Sequence, residues 1–101
     1  MPTGVGRSVA WVRSHYPEHV MYHLYILRCA DDTLYTGITT DLGRRVAEHN
    51  GSSLGAKYTR GRRPVTLVYS RRFRTRSNAA REEFRIKGLS RSEKSLFIQS
   101  K

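Results

Sequence analysis

The chain has 101 residues, enough for one domain with a modest hydrophobic core. Lys and Arg number 19 against 8 Asp and Glu, a formal net charge of +11 that favours a polyanionic partner such as nucleic acid. Cys29 is the single cysteine, which excludes an internal disulfide framework, and no apolar run reaches the roughly 18 residues of a membrane span. We therefore expect a cytoplasmic protein that does not use a membrane.

The first 20 residues predict an N-terminal extension, and residues 21–101 predict the folded domain. The extension contains arginines and lacks the apolar segment of a signal peptide. Regular patterning begins just after Met21, which makes that residue a candidate translation start.

Residues 22–29 and 34–38 predict a β-hairpin. The first segment, YHLYILRC, is aromatic and aliphatic, and the second, LYTGI, follows the turn-forming sequence ADDT. Asp41 is a good N-cap for a helix that runs to about His49, where an Asn-Gly pair ends it.

The second half of the chain predicts one more strand and two more helices. A glycine-rich basic loop, GSSLGAKYTRGRR, precedes a strand at residues 65–70, and a helix then runs from about Ser77 to a glycine stop. Ser90 and Glu93 have the spacing of a capping box, which predicts a last helix through Ile98. The predicted fold class is α+β, with a small three-stranded antiparallel sheet flanked by helices.

Two of the predicted helices carry polar side chains on the face that should be buried. Arg45 and His49 complete the inward stripe of the first helix, whereas in the second helix Glu83 lies at the centre of the apolar face and Glu82 to one side. That apolar face consists of Ala79, Ala80, Phe84 and Ile86. A buried unpaired charge is strongly unfavourable, so these groups either pair or line a cleft. The angles fit an Arg45 to Glu83 ion pair and an active site equally well.

The order and spacing of several short motifs resemble the GIY-YIG nuclease superfamily. HLY at residues 23–25 is followed after nine residues by YTG at 35–37, then by an arginine, a histidine four positions later and a helical glutamate. The segments HNGS, GAKYT and RRPV are similar to elements of the small single-domain members. The resemblance covers about residues 21–98 and implies a metal-dependent endonuclease that acts on DNA in repair or processing.

The resemblance implies catalytic roles for Tyr25, Tyr35, Arg45, His49 and Glu83. Glu83 would hold one divalent cation, Mg2+ or Mn2+, and Arg45 would bind the scissile phosphate. The general base stays open among the two tyrosines and the histidine. Two positions depart from the family pattern: His23 replaces the usual glycine of the first motif, and Ile38 stands where related excision-repair nucleases carry a lysine.

Seven basic residues are predicted to hold the DNA backbone, because no acidic residue occurs between Asn50 and Arg81. They are Lys57, Arg60, Arg62, Arg63, Arg71, Arg72 and Arg74. RNA is the weaker alternative substrate. The alternative from another functional class is a catalytically silent nucleic-acid-binding module of the same fold. Because the chain has no appended element that reads base sequence, a partner protein that supplies targeting is also compatible with it.

Overall fold

The computed structural model describes residues 20–100. The predicted N-terminal extension lies outside the described residues except for Val20, and so it stays a prediction. Between residues 20 and 100, none of the helices has the length and apolarity that crossing a membrane requires.

Three strands form one antiparallel sheet, with β1 in the centre. The strands are β1 (Tyr22–Arg28), β2 (Leu34–Thr39) and β3 (Thr66–Phe73), in the order β2-β1-β3. Tyr25 on β1 lies opposite Gly37 on β2 and Ser70 on β3. The predicted fold class, a three-stranded antiparallel sheet with flanking helices, is confirmed.

Four helices flank the sheet: α1 (Leu42–Gly51), α2 (Lys57–Arg60), α3 (Arg76–Lys87) and α4 (Arg91–Gln99). The three longer helices begin at side-chain caps, which satisfy backbone N–H groups of the first turn. Asp41 accepts from Arg44 N, and Thr75 accepts from Asn78 N. At Ser90 both hydrogen bonds of the predicted capping box are present, so that prediction is confirmed.

The third strand is longer than the sequence predicts. The third strand continues past Ser70 to Phe73, because Arg71 and Arg72 still pair with Leu24 and His23 of β1. The basic side chains hid this continuation from a hydrophobic pattern, although an edge strand tolerates charged residues.

The basic loop also contains a short helix that the sequence reading missed. The N–H groups of Thr59 and Arg60 both donate to the carbonyl of Ala56, at 3.0 and 3.1 Å, and this closes the single turn of α2. A glycine on each side of the segment made a loop the natural prediction.

Alternate residues of β1 divide the core into two faces. On one, named the α1 face, Tyr25 and Leu27 pack with Val65 and with α1. On the other, named the α3 face, Leu24 and Ile26 pack with residues of α3 and α4. Burying each large apolar side chain contributes about 1.5–3 kcal/mol, so these two clusters hold the helices against the sheet.

The side chain of Asn50 fixes the end of α1 against the start of β3. Its Nδ2 donates to Val65 O at 3.0 Å, and its Oδ1 accepts from Val65 N at 2.6 Å. Val65 in turn lies in the core of the α1 face. The last turn of α1 is therefore tied to the sheet by a paired backbone contact as well as by packing.

Candidate active site

Tyr25 lies flat across the strand opposite it. Its side chain is 1% exposed, and the ring occupies the space above Gly37. A Cβ at Gly37 would stand 2.5 Å from the Tyr25 hydroxyl oxygen and 2.7 Å from Cζ. Only glycine therefore leaves room for the phenol, which explains the glycine two residues after Tyr35.

His49, near the end of α1, is hydrogen-bonded to the Tyr25 hydroxyl. Its Nε2 lies 2.8 Å from Tyr25 Oη, and its Nδ1 lies 2.8 Å from Thr59 Oγ1. The imidazole is fully buried, and this burial, helped by the charges of Arg45 and Arg63, lowers the pKa of His49 to about 4. His49 is therefore neutral at neutral pH, with one nitrogen donating and one accepting.

Tyr25 is also neutral at neutral pH. Burial raises the pKa of Tyr25 to about 12, and the hydrogen bond from Arg45 opposes this rise only in part. A buried phenol with this pKa is a poor proton acceptor at physiological pH. The pair formed by Tyr25 and His49 is thus suited to positioning a neighbour.

That neighbour is Arg45, whose guanidinium is held from several sides. Its Nη1 donates to Glu48 Oε1 at 2.8 Å and to the carbonyl of Leu54 at 2.7 Å. The guanidinium is also close enough to the Tyr25 hydroxyl for each group to shift the pKa of the other. The bond to Glu48 raises the pKa of Arg45. The side chain is 25% exposed, so part of the guanidinium still faces solvent. Arg45 pairs with Glu48 on its own helix, and the alternative ion pair with Glu83 is wrong.

Tyr35 forms the accessible side of this group. Its ring centroid lies 6.4 Å from that of Tyr25 and 5.2 Å from that of His49. On its other side the ring of Tyr58 follows at 5.8 Å. Tyr35 is only partly buried, so it is the tyrosine of the pair that solvent reaches.

Glu83 approaches the same group from α3. Its negative charge is close enough to raise the pKa of Tyr25 further, although burial is the larger cause. Glu83 Oε2 lies 3.2 Å from Lys87 Nζ, and the side chain is 24% exposed. Of the residues that the structure describes, no three His, Cys, Asp or Glu side chains form a cluster that could hold a metal.

Comparison with known proteins assigns the chain to a family. Residues 21–96 match the model of the GIY-YIG catalytic domain. The chain belongs to the GIY-YIG family. Because that family is generally one of nucleases, the domain indicates a nuclease-type function.

Several UPF0213 proteins are similar to this chain over most of their length. A UPF0213 protein of Halobacterium salinarum is 58% identical over 74 residues, which are 73% of this chain and 95% of the relative. A UPF0213 protein of Desulfotalea psychrophila is 52% identical over 79 residues, 78% of this chain and 72% of the relative. The solution NMR structure of a UPF0213 protein from Bacillus halodurans has a TM-score of 0.54 and 44% identity, covering 80% of this chain and 85% of that one.

The GIY-YIG domain brings Tyr25, Tyr35, Arg45 and His49 into one connected group, with the charge of Glu83 acting on it. The helical-face prediction for α3 is partly wrong. Ala79 and Ile86 are buried, but Phe84 is 83% exposed and Ala80 is also on the surface.

The buried edge of α3 therefore runs between its two glutamates. At 100° per residue, Glu82 and Glu83 each lie roughly 50° from the direction set by Ala79 and Ile86, on opposite sides. Glu82 Oε2 lies 2.6 Å from Arg85 Nη2, and Glu82 lines a pocket with Arg71 and Phe73. The two carboxylates thus have different surroundings, with Glu83 on the side of Tyr25.

The sequence reading missed Thr59 and Glu48 as parts of this site. Thr59 contacts His49, and Glu48 contacts Arg45. Glu48 follows Arg45 by three residues on one helix, a spacing that signals a surface pair. No periodic signal marks Thr59, because it reaches His49 through the short helix α2.

The predicted DNA-binding residues lie in different surroundings. Arg63 donates from Nε to His49 O at 2.6 Å and from Nη2 to the carbonyls of Glu48 and Ser52, so its guanidinium caps the end of α1. Arg62 donates to Asp31 Oδ2 at 3.0 Å, and its guanidinium lies 4.0 Å from the centroid of Tyr58.

The arginines of β3 point to opposite faces of the sheet, because side chains alternate along a strand. Arg72 pairs with His23 and lies on the α1 face, whereas Arg71 pairs with Leu24 and lies on the α3 face. The remaining members of the predicted set are exposed: Lys57, Arg60 and Arg74.

Proposed function

We propose that this chain is a divalent-metal-dependent endonuclease that hydrolyses phosphodiester bonds of DNA. One observation carries the proposal: Arg45, the residue suited to a phosphate, is partly exposed, is fixed by Glu48 and the carbonyl of Leu54, and lies next to the buried Tyr25. Preorganised donors stabilise developing charge well because they need not reorient during the reaction.

Arg45 binds the scissile phosphate in this proposal. Its Nη1 is engaged by Glu48 and Leu54, and other nitrogens of the planar guanidinium remain for phosphate oxygens. Glu48 also fixes the side chain in one orientation.

Tyr35 positions the attacking water, because its side chain is partly exposed while Tyr25 is buried. In its phenolate form Tyr35 would also take the proton of that water. Tyr25 instead holds Arg45 and shares its hydroxyl with His49. The contrast between the two tyrosines can be measured. Tyr35→Phe should lower the cleavage rate at saturating DNA, and Tyr25→Phe should also weaken phosphate binding through Arg45.

Glu83 is the residue that would hold the divalent cation, Mg2+ or Mn2+. A single carboxylate fits Mg2+, which commonly binds proteins through one or two carboxylates and keeps water and phosphate oxygens as its other ligands. When bound, the cation supplies neutralisation of charge on the phosphate and the departing oxygen.

Charge supports DNA as the substrate, with RNA as the weaker candidate. The net charge of +11 favours a polyanion. We assign backbone contact to the five basic residues of the predicted set that neither cap α1 nor lie on the α3 face: Lys57, Arg60, Arg62, Arg72 and Arg74. We leave out Arg63, which caps α1, and Arg71, which lies on the α3 face. A role in repair and a targeting partner extend the same proposal.

Cleavage assays test the proposal. Labelled branched, nicked, single-stranded and duplex DNAs and a matched RNA are incubated with Mg2+, Mn2+ or EDTA. We expect cleavage of at least one DNA with metal only, and its loss in Arg45→Ala and Glu83→Gln. Glu82→Gln is the control, because it removes the same charge from the neighbouring residue of α3.

The silent-module alternative gives the opposite results. It predicts DNA binding without cleavage under every metal condition. It also predicts that Glu83→Gln and Glu82→Gln behave alike. Cleavage of RNA but not DNA would correct the substrate and leave the reaction class in place.

Removal of metal should leave the fold intact. A cation held by one carboxylate is not closing a structural site, so the melting temperature should be the same with and without EDTA. A large loss of stability on chelation would contradict the assignment of Glu83 as the sole protein ligand.

A further inference from the structure

Thr59 is a fully buried polar residue that the proposed chemistry does not use. Its side chain has no exposed area, and its hydroxyl oxygen lies 2.8 Å from His49 Nδ1 and 3.0 Å from the carbonyl oxygen of Ala56. A buried hydroxyl needs hydrogen-bond partners, and both of these are at full bonding distance. The hydroxyl therefore lies between the imidazole and the backbone of α2.

The loop before α2 is built to bring Thr59 to this place. A Cβ at Gly55 would stand 2.7 Å from the carbonyl oxygen of Glu48 and 3.0 Å from the Cα of His49. The absence of a side chain there lets the loop pack directly on the last turn of α1. Ala56 N then comes within 3.4 Å of His49 Nδ1, and one turn of helix places Thr59 beside the ring.

The hydrogen positions follow from the donors and acceptors. Arg45 can only donate, so among the described residues His49 Nε2 is the acceptor at bonding distance for the Tyr25 hydroxyl hydrogen. A neutral imidazole with an accepting Nε2 carries its hydrogen on Nδ1. Nδ1 then donates to Thr59 Oγ1, and the Thr59 hydroxyl donates to Ala56 O.

The Nδ1-protonated tautomer loses one hydrogen bond, the one from Ala56 N to His49 Nδ1. The amide of Ala56 faces the protonated Nδ1 at 3.4 Å, which is the longest hydrogen-bond distance in the group. The opposite tautomer would keep that long contact and leave the hydroxyl hydrogen of buried Tyr25 without its acceptor. A lost buried hydroxyl bond is the larger penalty, because hydrogen bonds weaken as they lengthen.

We propose that Thr59 is a positioning residue that selects the Nδ1-protonated tautomer of His49 and thereby reserves the lone pairs of Tyr25 for Arg45. Thr59 acts through His49 and Tyr25 and does not itself contact substrate. The consequence for cleavage rests on the proposed function. The tautomer itself does not, because it is a property of the free protein.

Nitrogen-15 NMR of protein labelled at histidine measures the tautomer directly. His49 is assigned by the resonances missing from His49→Gln. We expect the wild-type protein to show a proton on Nδ1 and an unprotonated Nε2. A proton on Nε2 in the wild type would overturn the proposal without any variant and whether or not the protein cleaves DNA.

Two variants test the role of the hydroxyl. Thr59→Val keeps the shape but can neither accept from Nδ1 nor donate to Ala56, so the signal of unprotonated Nε2 should diminish. Cleavage at saturating DNA should fall by about tenfold, the equivalent of one hydrogen bond, with DNA affinity changed much less. Thr59→Ser retains the hydroxyl and should restore both the tautomer and the rate.

The outcomes separate this proposal from the proposed function. If the wild type cleaves no nucleic acid, the proposed function fails, and the NMR result still decides the tautomer. If the wild type cleaves but Thr59→Val keeps the wild-type tautomer and rate, the positioning role is overturned and the nuclease stands. If Thr59→Ser fails to restore the rate, Thr59 contributes packing rather than hydrogen-bond direction.

Discussion

A glycine determines where the central tyrosine of this site can lie. Gly37 provides the space for the Tyr25 phenol, and the contact is with the rigid ring as well as with its oxygen. We expect Gly37→Ala to displace the ring, to break its bond to His49, and to lower stability by about 1–3 kcal/mol, the usual range for overpacking. Urea unfolding measures the change.

Gly43→Ala is the matched control, because the residue lies in α1 and a Cβ there meets nothing within 4 Å apart from its chain neighbours and the backbone of its own helix. Alanine in a helix is favoured over glycine by about 0.5–1 kcal/mol, so this variant should be slightly more stable than the wild type. Equal destabilisation by both substitutions would mean that the close approach at Gly37 is relieved by small shifts.

His49 should make stability depend on pH in acid. Its folded pKa of about 4 lies below the ordinary value of 6.5, so between these values the unfolded chain binds the proton more readily. Stability should therefore fall as pH decreases from about 6.5 towards 4, with no contribution above that window. The loss should be on the order of 2 kcal/mol, since water that reaches a charged ring screens part of the full effect.

The measurement is urea unfolding at several pH values for the wild type and His49→Gln. The other histidines and the carboxylates titrate in both proteins, so the difference between the two curves isolates His49. Parallel curves between pH 4 and 6.5 would show that the buried imidazole is protonated as easily as in the unfolded chain.

At the level of single residues, helical spacing predicted the inward direction of Arg45 and His49 because both lie on a regular helix. The same method misplaced Phe84. Four apolar residues on α3 suggested one broad face, but the sheet covers only the narrow strip around Ala79 and Ile86. How much of a helix is covered depends on its tertiary neighbours, which spacing along the chain does not contain.

At the level of elements, α1 depends on an arginine from outside the helix. Its last carbonyls, at Glu48 and His49, and the following carbonyl at Ser52 all accept from Arg63. Helix ends leave carbonyls without intrahelical partners, and a cation at this end is also favoured by the helix dipole. Ser52 N also donates to Glu48 O, so Arg63 adds to this local cap a contact from 11 to 15 residues away.

We expect Arg63→Ala to lower the free energy of unfolding by about 1.5–3 kcal/mol, the range for hydrogen bonds to a charged group. Arg60→Ala removes the same charge from an exposed site and should change stability by less than about 0.5 kcal/mol. Urea unfolding of the two variants decides the point. Equal stabilities would show that water satisfies these carbonyls as well as the guanidinium does.

Most of the helices and strands could be predicted from signals that are local in the sequence. The helix caps at Asp41 and Ser90 and the continuous apolar run of β1 lie within a few residues of the elements they specify. The extension of β3 and the helix α2 are different. Both are stabilised by partners distant in the chain, namely β1 for the two arginines of β3 and His49 for Thr59.

At the scale of the whole molecule, the sheet separates the face that carries Tyr25 and α1 from the face on which α3 and α4 pack, and Glu83 acts on the site from α3. Tyr25 and Leu27 face α1, while Leu24 and Ile26 face α3 and α4. Composition predicted a basic surface but could not say which face carries each basic residue, because net charge contains no information on position. The strand register provides the division, since neighbouring residues of β3 face opposite sides.

This division gives the sharpest test of the DNA path. Arg72 lies on the α1 face beside His23, and Arg71 lies on the α3 face, where its guanidinium is 4.9 Å from the centroid of Phe73. DNA affinity is measured against salt concentration in EDTA, so that no metal-dependent cleavage occurs. Each lost phosphate contact lowers the slope of log affinity against log salt by about 0.9 for duplex DNA and 0.7 for a single strand.

Arg72→Ala should weaken binding to every sequence alike and lower this slope by about one contact, whereas Arg71→Ala should leave the slope unchanged. The two variants have the same net charge, so a general electrostatic effect would move both equally. A smaller slope for Arg71→Ala alone would place the DNA on the α3 face, away from Arg45, and would separate binding from the candidate active site. An equal decrease of the slope in both variants would mean that the DNA backbone passes around the outer edge of β3 and contacts both arginines.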